Sequence, residues 1–426
     1  MSAPQTTPAA PGTSNGLPPQ DADGVLRPHS TQPGRAEAHL AAPAPAVQNH
    51  AANLTVLPGG DLGCVWFGGS QEGVADISVW FSRLAAGGDT WSAPVRLSDD
   101  ATRSEQNPLL FPAPGGELWL LHTAQRAGHQ DTAEVRLRVS GDNGVSWGPS
   151  RVLFPATARG GVFVRQPVVA AKAGRLLLPV FRCVAAPGEK WSGGQDTSSV
   201  MLSDDEGRTW TEHEVPGSTG LVHMNVHPLP DSSLLALFRS RRADAVYRSV
   251  SHDAGETWTT PRPLAVPNNN SSIQYLPLAD GRLALVHNHS SAADATARRV
   301  SLYDEIDEID EIAVESDDAS AKDAGPGTGS GTPELSDAAF WGAPRAPLTL
   351  SLSTDSGLTW PLRHDLETGD GYCLTNNSRD GLNRELSYPS VAQTPDGCLH
   401  IAYTHHRRTI KHLRLSPAWA DREISA

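Results

Sequence analysis

Cysteine is scarce in this chain of 426 residues. Cys64, Cys183, Cys373 and Cys398 are all there is, with no C-x-x-C pair and no other metal-ligand spacing. That excludes a disulfide framework or a zinc ribbon as the organising principle and reads as four reduced thiols. Basic charge is also short, with 34 Lys and Arg against 48 Asp and Glu and a net charge of −14. Nucleic acid and anionic membrane surfaces are therefore not the expected partners. No stretch approaches the ~20 apolar residues of a membrane span. Residues 1–48 are rich in Ala, Pro, Thr and Gly and lack the apolar centre of a secretory signal, so a cytoplasmic location is expected. There is no G-x-G-x-x-G opening a helix and no P-loop, and the Asp-Glu-Ile repeat at 304–312 lacks the glycine and ligand spacing of an EF-hand. No cofactor and no obligatory metal are expected.

What the chain does have is turn chemistry: 39 Gly, 34 Pro and 11 Trp. One signature occurs four times, as Ser140-Gly-Asp142-Asn-Gly144-Val-Ser-Trp147, Ser203-Asp-Asp205-Glu-Gly207-Arg-Thr-Trp210, Ser251-His-Asp253-Ala-Gly255-Glu-Thr-Trp258 and Ser353-Thr-Asp355-Ser-Gly357-Leu-Thr-Trp360. Asp89-Thr-Trp91-Ser-Ala-Pro94 is a weaker fifth copy. In each, Asp bonds the backbone just ahead, Gly takes a positive φ, and Trp packs at the start of the next strand. These tryptophans are expected to be buried between strands of their own blade.

A second repeat interleaves with the first: a strand, a Pro or Gly loop, then Gly-x-Leu or its equivalent leading into another strand. Its turn falls at positions 60, 116, 174, 232, 281 and 397, with spacings of 56, 58, 58, 49 and 116. A period of 50-odd residues with four strands each predicts an all-β, six-bladed β-propeller. The long gap is a blade five carrying an insertion. Residues 304–340 join an acidic run, ten acids and one Lys in 304–323, to a Gly/Ser/Pro stretch. Such a segment cannot bury a core, so it is expected to be disordered and dispensable. The resulting division is a disordered segment 1–21, a propeller over 22–417 and a tail 418–426. A strand from about 22–42 should complete blade six and close the ring, leaving no open edge. The propeller is expected to be a monomer.

The first residues of each innermost strand and the ends of the second strands ring one mouth of a propeller's channel. Here those positions carry His50 and Asn53, Gln106 and Asn107, Arg165 and Gln166, His223 and Asn225, Asn270 and Ser272, and Arg384, Glu385 and Tyr388. The second-strand ends add Glu72, Asp76, Arg182, Arg239, Arg241, His287, His289, His405 and Arg407. Any single one of these is most simply a structural or solvated group, and Arg239-Ser-Arg241-Arg242 also fits a charge-protected edge. Recurrence in every blade is what points to a lined pocket.

The S-x-D-x-G-x-T/S-W signature resembles the Asp box of the sialidase (neuraminidase) superfamily, and the resemblance covers roughly residues 50–417. It implies the following roles. Tyr388, in Glu385-Leu-Ser-Tyr388-Pro-Ser-Val391, matches the family's Tyr nucleophile, and Glu385, with Glu72 as the next choice, matches the carboxylate that activates it. Asp76 lies in the stretch of the general acid. Arg165 with Arg239 or Arg241 would clamp a substrate carboxylate. One motif departs: where the family begins blade one with Arg-Ile-Pro, this chain has His50-Ala-Ala-Asn53-Leu54. Other sialidase-like propellers use His in place of the Tyr and carboxylate pair, acting as lyases or hydrolases of another type on uronate glycans. His50, His223 and His287 keep that alternative open. Three readings stand: an exo-acting glycosidase on an acidic sugar, a His/Arg lyase on a uronate polysaccharide, and a non-catalytic propeller binding a glycan or protein. In the first two the partner is a glycan, with Asn107, His223, His287 and Arg407 also at the mouth.

Overall fold

The computed structural model describes residues 22–43, 46–171, 174–185, 191–299, 338–376 and 378–421. The segment 1–21, most of the 304–340 insertion and the last residues of the tail lie outside the described residues. Six antiparallel sheets follow one another around a ring. From inner to outer strand, blade one is Gln48–Val56, Leu62–Gly69, Ser78–Leu84 and Val95–Arg96; blade two is Ser104–Pro112, Leu118–Arg126, His129–Ser140 and Arg151–Phe154. Blade three has a split inner strand, Gly161–Val164 and Val169–Ala170, then Leu176–Cys183, Thr197–Ser203 and Thr211–Glu214. Blade four is Leu221–Pro228, Leu234–Ser240, Ala245–Ser251 and Arg262–Pro267. Blade five is Gln274–Pro277, Leu283–Asn288, Leu348–Ser353 and Leu362–Glu367, with the insertion between its second and third strands.

Blade six, Leu386–Gln393, Leu399–His405 and Thr409–Leu415, is completed as expected from the N-terminal end of the chain. Arg35–His39 pairs antiparallel with Thr409–Leu415, and Arg27–Pro28 adds to its outer side. Leu26, Ala36, Ala38 and Leu40 then share one apolar cluster with Ala52 and Leu54 of blade one and Ala402 and Ile410 of blade six. The two ends of the ring are thus locked together by burial as well as pairing. Among the described residues, helix is confined to Pro417–Ala420 and a 3-10 turn at Ala292–Asp294, and no helix is long and apolar enough to cross a membrane.

The second strands read as continuous apolar runs because both of their faces are covered by neighbouring blades. Leu109, Leu121 and Leu137 of blade two pack with Val162, Leu176 and Leu178 of blade three in this way.

The four turn signatures share one hydrogen-bond pattern. In blade four, Ser251 Oγ donates to Asp253 Oδ1 at 2.8 Å and receives the amide of Gly255 at 2.9 Å. Asp253 Oδ1 also accepts the amide of Thr257 at 2.9 Å. The residue before each glycine is left-handed too: Asn143, Glu206, Ala254 and Ser356 have φ of 57, 61, 57 and 59°. Asp253→Ala removes the bonds from Ser251 Oγ and the Thr257 amide and should cost about 1–2 kcal/mol. The readout is a lower urea midpoint with an unchanged m value.

The box tryptophans are placed differently from the sequence expectation. They sit in clusters at the seam with the preceding blade that hold residues of both blades. Trp147 packs on a cluster joining Val65, Val79 and Phe81 of blade one to Leu118 and Leu120 of its own blade, and Trp258 belongs to one joining Leu177, Val200 and Leu202 of blade three to Leu234 and Ala236 of its own. Trp258 is 5% exposed, while Trp147, Trp210 and Trp360 are half-buried. The box joins the third strand to the outermost one, so the nearest apolar surface includes the neighbour's.

The end of the insertion also departs from expectation. Residues 338–340 are part of the folded body: Ala339 is buried and the Phe340 amide donates to Arg241 O at 2.7 Å.

Candidate functional site

In four blades the innermost strand is bulged near the channel mouth. The ladder shifts by one residue between His50 and Asn53, Gln106 and Leu109, Val222 and Asn225, and Ser387 and Ser390. In those bulges Ala51, Asn107, His223 and Tyr388 take φ of 59, 49, 54 and 53°, and Asn270, just before the inner strand of blade five, takes 57°. A bulge re-aims one side chain out of the strand's alternation, and a left-handed non-glycine residue there stores backbone strain of about 1–3 kcal/mol. Blade three supplies Arg165 from the gap in its split strand. Every blade thereby presents one residue at equivalent places around the channel.

Tyr388 is the centre of this ring. Its hydroxyl receives a hydrogen bond from Arg239 Nη1 at 2.7 Å. The guanidinium carbons of Arg165, Arg239 and Arg345 lie 5.4, 5.5 and 5.5 Å from its ring centre. His50 and His223 flank the same ring at 4.2 and 5.7 Å between centres. Arg239 is 1% exposed, and its partners are all neutral: Tyr388, Asn270 Oδ1 at 2.8 Å and His223 Nε2 at 3.4 Å. Burial without a carboxylate pulls the Arg239 guanidinium down to about 9.

Glu385 does not sit on the Tyr388 hydroxyl. Its two oxygens are taken by Arg345 Nη1 and Arg407 Nε, each at 2.6 Å. Arg407 Nη1 also donates to Glu72 at 2.6 Å. Burial alone would raise the Glu385 carboxyl, but the Arg345 and Arg407 guanidiniums outweigh it and hold it below its ordinary value. The result is a buried lattice of two guanidiniums and two carboxylates beside the tyrosine. His50 is packed into it, with Nδ1 2.8 Å from Thr404 Oγ1 and Nε2 3.4 Å from Arg407 Nη2. Burial, reinforced by the surrounding arginines, keeps His50 and His223 far below the ordinary histidine range, so both rings are neutral. His223 Nδ1 has no partner among the described residues.

The remaining candidates fall in several places. Arg165 donates to Ser272 Oγ and to the carbonyls of Ala51, Ala52, Tyr388 and Pro389, bracing the channel floor. Blade one offers only a methyl group at Ala51, and Arg165 reaches its backbone instead. Arg241 is bound to Asp196 at 2.6 Å and lies against the adjoining rings of Trp191 and Trp341, each ring centre 5.2 Å away. Asn107 occupies the bulge of blade two. His287 is turned into blade five, 3.0 Å from Ser351 Oγ, away from the tyrosine cluster. Asp76 is exposed and accepts the amide of Ser70 at 3.1 Å, and no contact of the Tyr388 cluster includes it. Its loop does reach the mouth, because Val74 packs on the Ala51, Phe67, Ile77 and Tyr388 group while Glu72 pairs with Arg407. Sequence reasoning missed Arg345 and Asp196. Arg345 opens the third strand of blade five, behind the insertion, whereas only first-strand starts and second-strand ends had been counted. Its flanking prolines, Pro344 and Pro347, were the available signal.

A family model described as BNR repeat-like domain matches residues 60–401. A search of curated proteins by sequence finds no significant match. Among solved structures, the Hadza microbial sialidase Hz136 superposes with a TM-score of 0.60 at 14% identity, covering 88% of this chain and 66% of that one. A protein of unknown function from Dyadobacter fermentans gives 0.61 at 14%, covering 90% and 99%. The intramolecular trans-sialidase from Ruminococcus gnavus, solved with oseltamivir carboxylate, gives 0.60 at 12%, covering 88% and 96%. At these identities the likeness is one of fold, the six-bladed sialidase propeller. With the family model spanning most of its length, the chain belongs to the BNR repeat-like domain family.

Proposed function

We propose that this protein is a glycoside hydrolase acting on an acidic sugar at the end of a glycan, with Tyr388 as the reactive group. The observation that carries this is the charge around that one hydroxyl. Arg165, Arg239, Arg241, Arg345 and Arg407 gather at the mouth against the carboxylates Glu72, Glu385 and Asp196, and the hydrogen-bond partners of Arg165 and Arg239 are neutral. A mouth that is net cationic inside a protein of net charge −14 suits an anionic ligand. An oxygen already held by Arg239 is also a sensible nucleophile towards an anionic sugar, which a carboxylate would repel. The Tyr388 hydroxyl would give its proton to water as Oη bonds the anomeric carbon and the glycosidic bond breaks. A second water would then add its oxygen to the anomeric carbon, and a proton would return to Oη as the sugar leaves. For Asp76 to protonate the leaving oxygen, its loop has to turn towards the mouth.

A second reading is favoured by the neutral His223 beside Tyr388. In an elimination, His223 takes the proton next to a uronate carboxylate, the bond to the leaving oxygen breaks, and Tyr388 returns a proton to that oxygen. The product then carries a carbon–carbon double bond. A panel of methylumbelliferyl glycosides of N-acetylneuraminate, glucuronate, galactose and glucose, run beside uronate polysaccharides, separates the readings. Fluorescence from the acidic glycosides supports the hydrolase, and new ultraviolet absorbance from the polysaccharides supports elimination. Turnover of neutral glycosides alone would overturn the charge argument.

A further inference from the structure

The far end of the blade-five insertion returns to the fold beside the site. Trp341 lies over the Arg241 guanidinium beside Trp191, their ring centres 5.8 Å apart, and Ala339 is buried with Phe163, Phe181 and Val222. The Phe340 amide donates to Arg241 O at 2.7 Å. These contacts fix the Phe340 carbonyl, and that carbonyl accepts Asn270 Nδ2 at 2.8 Å. The other end of the same side-chain amide, Oδ1, accepts Arg239 Nε at 2.8 Å, and Arg239 Nη1 donates to the Tyr388 hydroxyl at 2.7 Å.

The orientation of the Asn270 amide is dictated by its neighbours. A guanidinium only donates and a backbone carbonyl only accepts, so oxygen must face Arg239 and nitrogen must face Phe340. Asn270 is 1% exposed, with φ of 57°, and its backbone amide donates to Asn268 Oδ1 at 3.1 Å. Asn268 Oδ1 in turn receives the amide of Ser240, on the strand that carries Arg239, at 3.0 Å. The amide is therefore held from both sides. Arg239 has few other restraints, since its one further side-chain partner is His223 at 3.4 Å. Without the Asn270 oxygen, the plane of the guanidinium is free to turn, and the bond to Tyr388 turns with it.

We infer that Asn270 is a positioning residue that ties the foot of the blade-five insertion, residues 339–341, to Arg239 and through it to the Tyr388 hydroxyl. The inference rests on the reading of Tyr388 as the reactive group. It makes the insertion part of the site's geometry at its foot, whatever the rest of the segment does.

Two substitutions that tolerate a positive φ test it. Asn270→Asp keeps an oxygen for Arg239 and gives up the donor to Phe340, whereas Asn270→Gly gives up both. On the acidic glycoside that the wild type turns over best, Asn270→Gly should lower kcat about 10–100-fold with KM changed less than about threefold. Asn270→Asp should lie closer to wild type. Crystal structures of the substrate-free proteins should show Arg239 withdrawn from the Tyr388 hydroxyl in Asn270→Gly and still on it in Asn270→Asp. Wild-type kcat in Asn270→Gly or an Arg239 unmoved in that variant would overturn the inference, and full wild-type kcat in Asn270→Asp would remove the tie to Phe340, in each case leaving the hydrolase reading standing. Absence of turnover by the wild type on every acidic glycoside would instead remove that reading. The two crystal structures would then decide the positioning role alone.

Discussion

Tyr388→Phe should lower kcat by at least about 10³-fold on whatever acidic substrate the wild type accepts. Both chemical readings need the hydroxyl, as nucleophile in one and as proton donor in the other. The ring itself is also structural: it packs with Ala51, Phe67 and Ile77 and is flanked by His50, so the substitution has to spare it. Phenylalanine keeps that packing and removes one acceptor from Arg239, whose Asn270 contact remains. The stability cost should stay within about 1–2 kcal/mol, so lost activity is not lost fold. Turnover measured beside a urea melt separates the two effects. A non-catalytic binding propeller predicts no turnover in either protein, and a catalyst unaffected by Tyr388→Phe would remove Tyr388 from both mechanisms.

The parts of this molecule that were legible in the sequence are those fixed by contacts between near neighbours. Ser251, Asp253, Gly255 and Thr257 bond one another within seven residues, so their chemistry shows as a spacing. The strand repeats show for the same reason, and with them the blade count and the closing strand Arg35–His39. The site is built differently. Ala51, His223 and Tyr388 sit in bulges, and one extra residue in a strand leaves almost no trace in an apolar pattern, least of all with residues that do not favour positive φ. Tyr388 and Glu385 stand out by their place at the start of the blade-six inner strand and take their roles from family resemblance, yet the bond between them that the resemblance implies is absent. Glu385 is instead committed to Arg345, a residue 40 positions away on another blade. Arg239, Asn270 and Phe340 likewise meet only after the ring has closed and the insertion has returned. Partners that depend on the whole topology leave no local signature.

The second large effect expected is loss of stability in mild acid. His50, His223, His287, His400 and His412 are all buried, and burial is the first cause of the depression in each. His287 is brought to about 3 and His400 to about 4, while the other three lie well below their ordinary value. The His400 and His412 pair shows why the neutral form is required. The Trp91 indole can only donate, so His412 Nδ1 accepts it at 3.1 Å, and His412 Nε2 must then donate to His400 Nδ1 at 2.9 Å. A proton added to either ring sets two donors face to face at the seam where blade six meets blade one. Because the folded values lie below the unfolded value of about 6.5, the unfolded chain binds more protons throughout the window between them. Stability should fall by only about 2 kcal/mol from pH 7.5 to 6.5, then more steeply as pH drops towards about 4, where His400 itself titrates in the fold. Each histidine contributes up to about 1.4 kcal/mol per pH unit in that window, so the five together cost up to about 7 kcal/mol at pH 5.5. That is comparable with the whole stability of an ordinary domain, about 5–15 kcal/mol. Carboxylates held low, such as Asp100 at about 2, add their loss only at lower pH. Urea midpoints taken at pH 7.5, 6.5, 5.5 and 4.5 should therefore drop a little in the first step and steeply over the next two. A midpoint at pH 4.5 equal to that at pH 7.5 would mean that these rings accept protons inside the fold, and the neutral His50 and His223 beside Tyr388 would have to be abandoned with them.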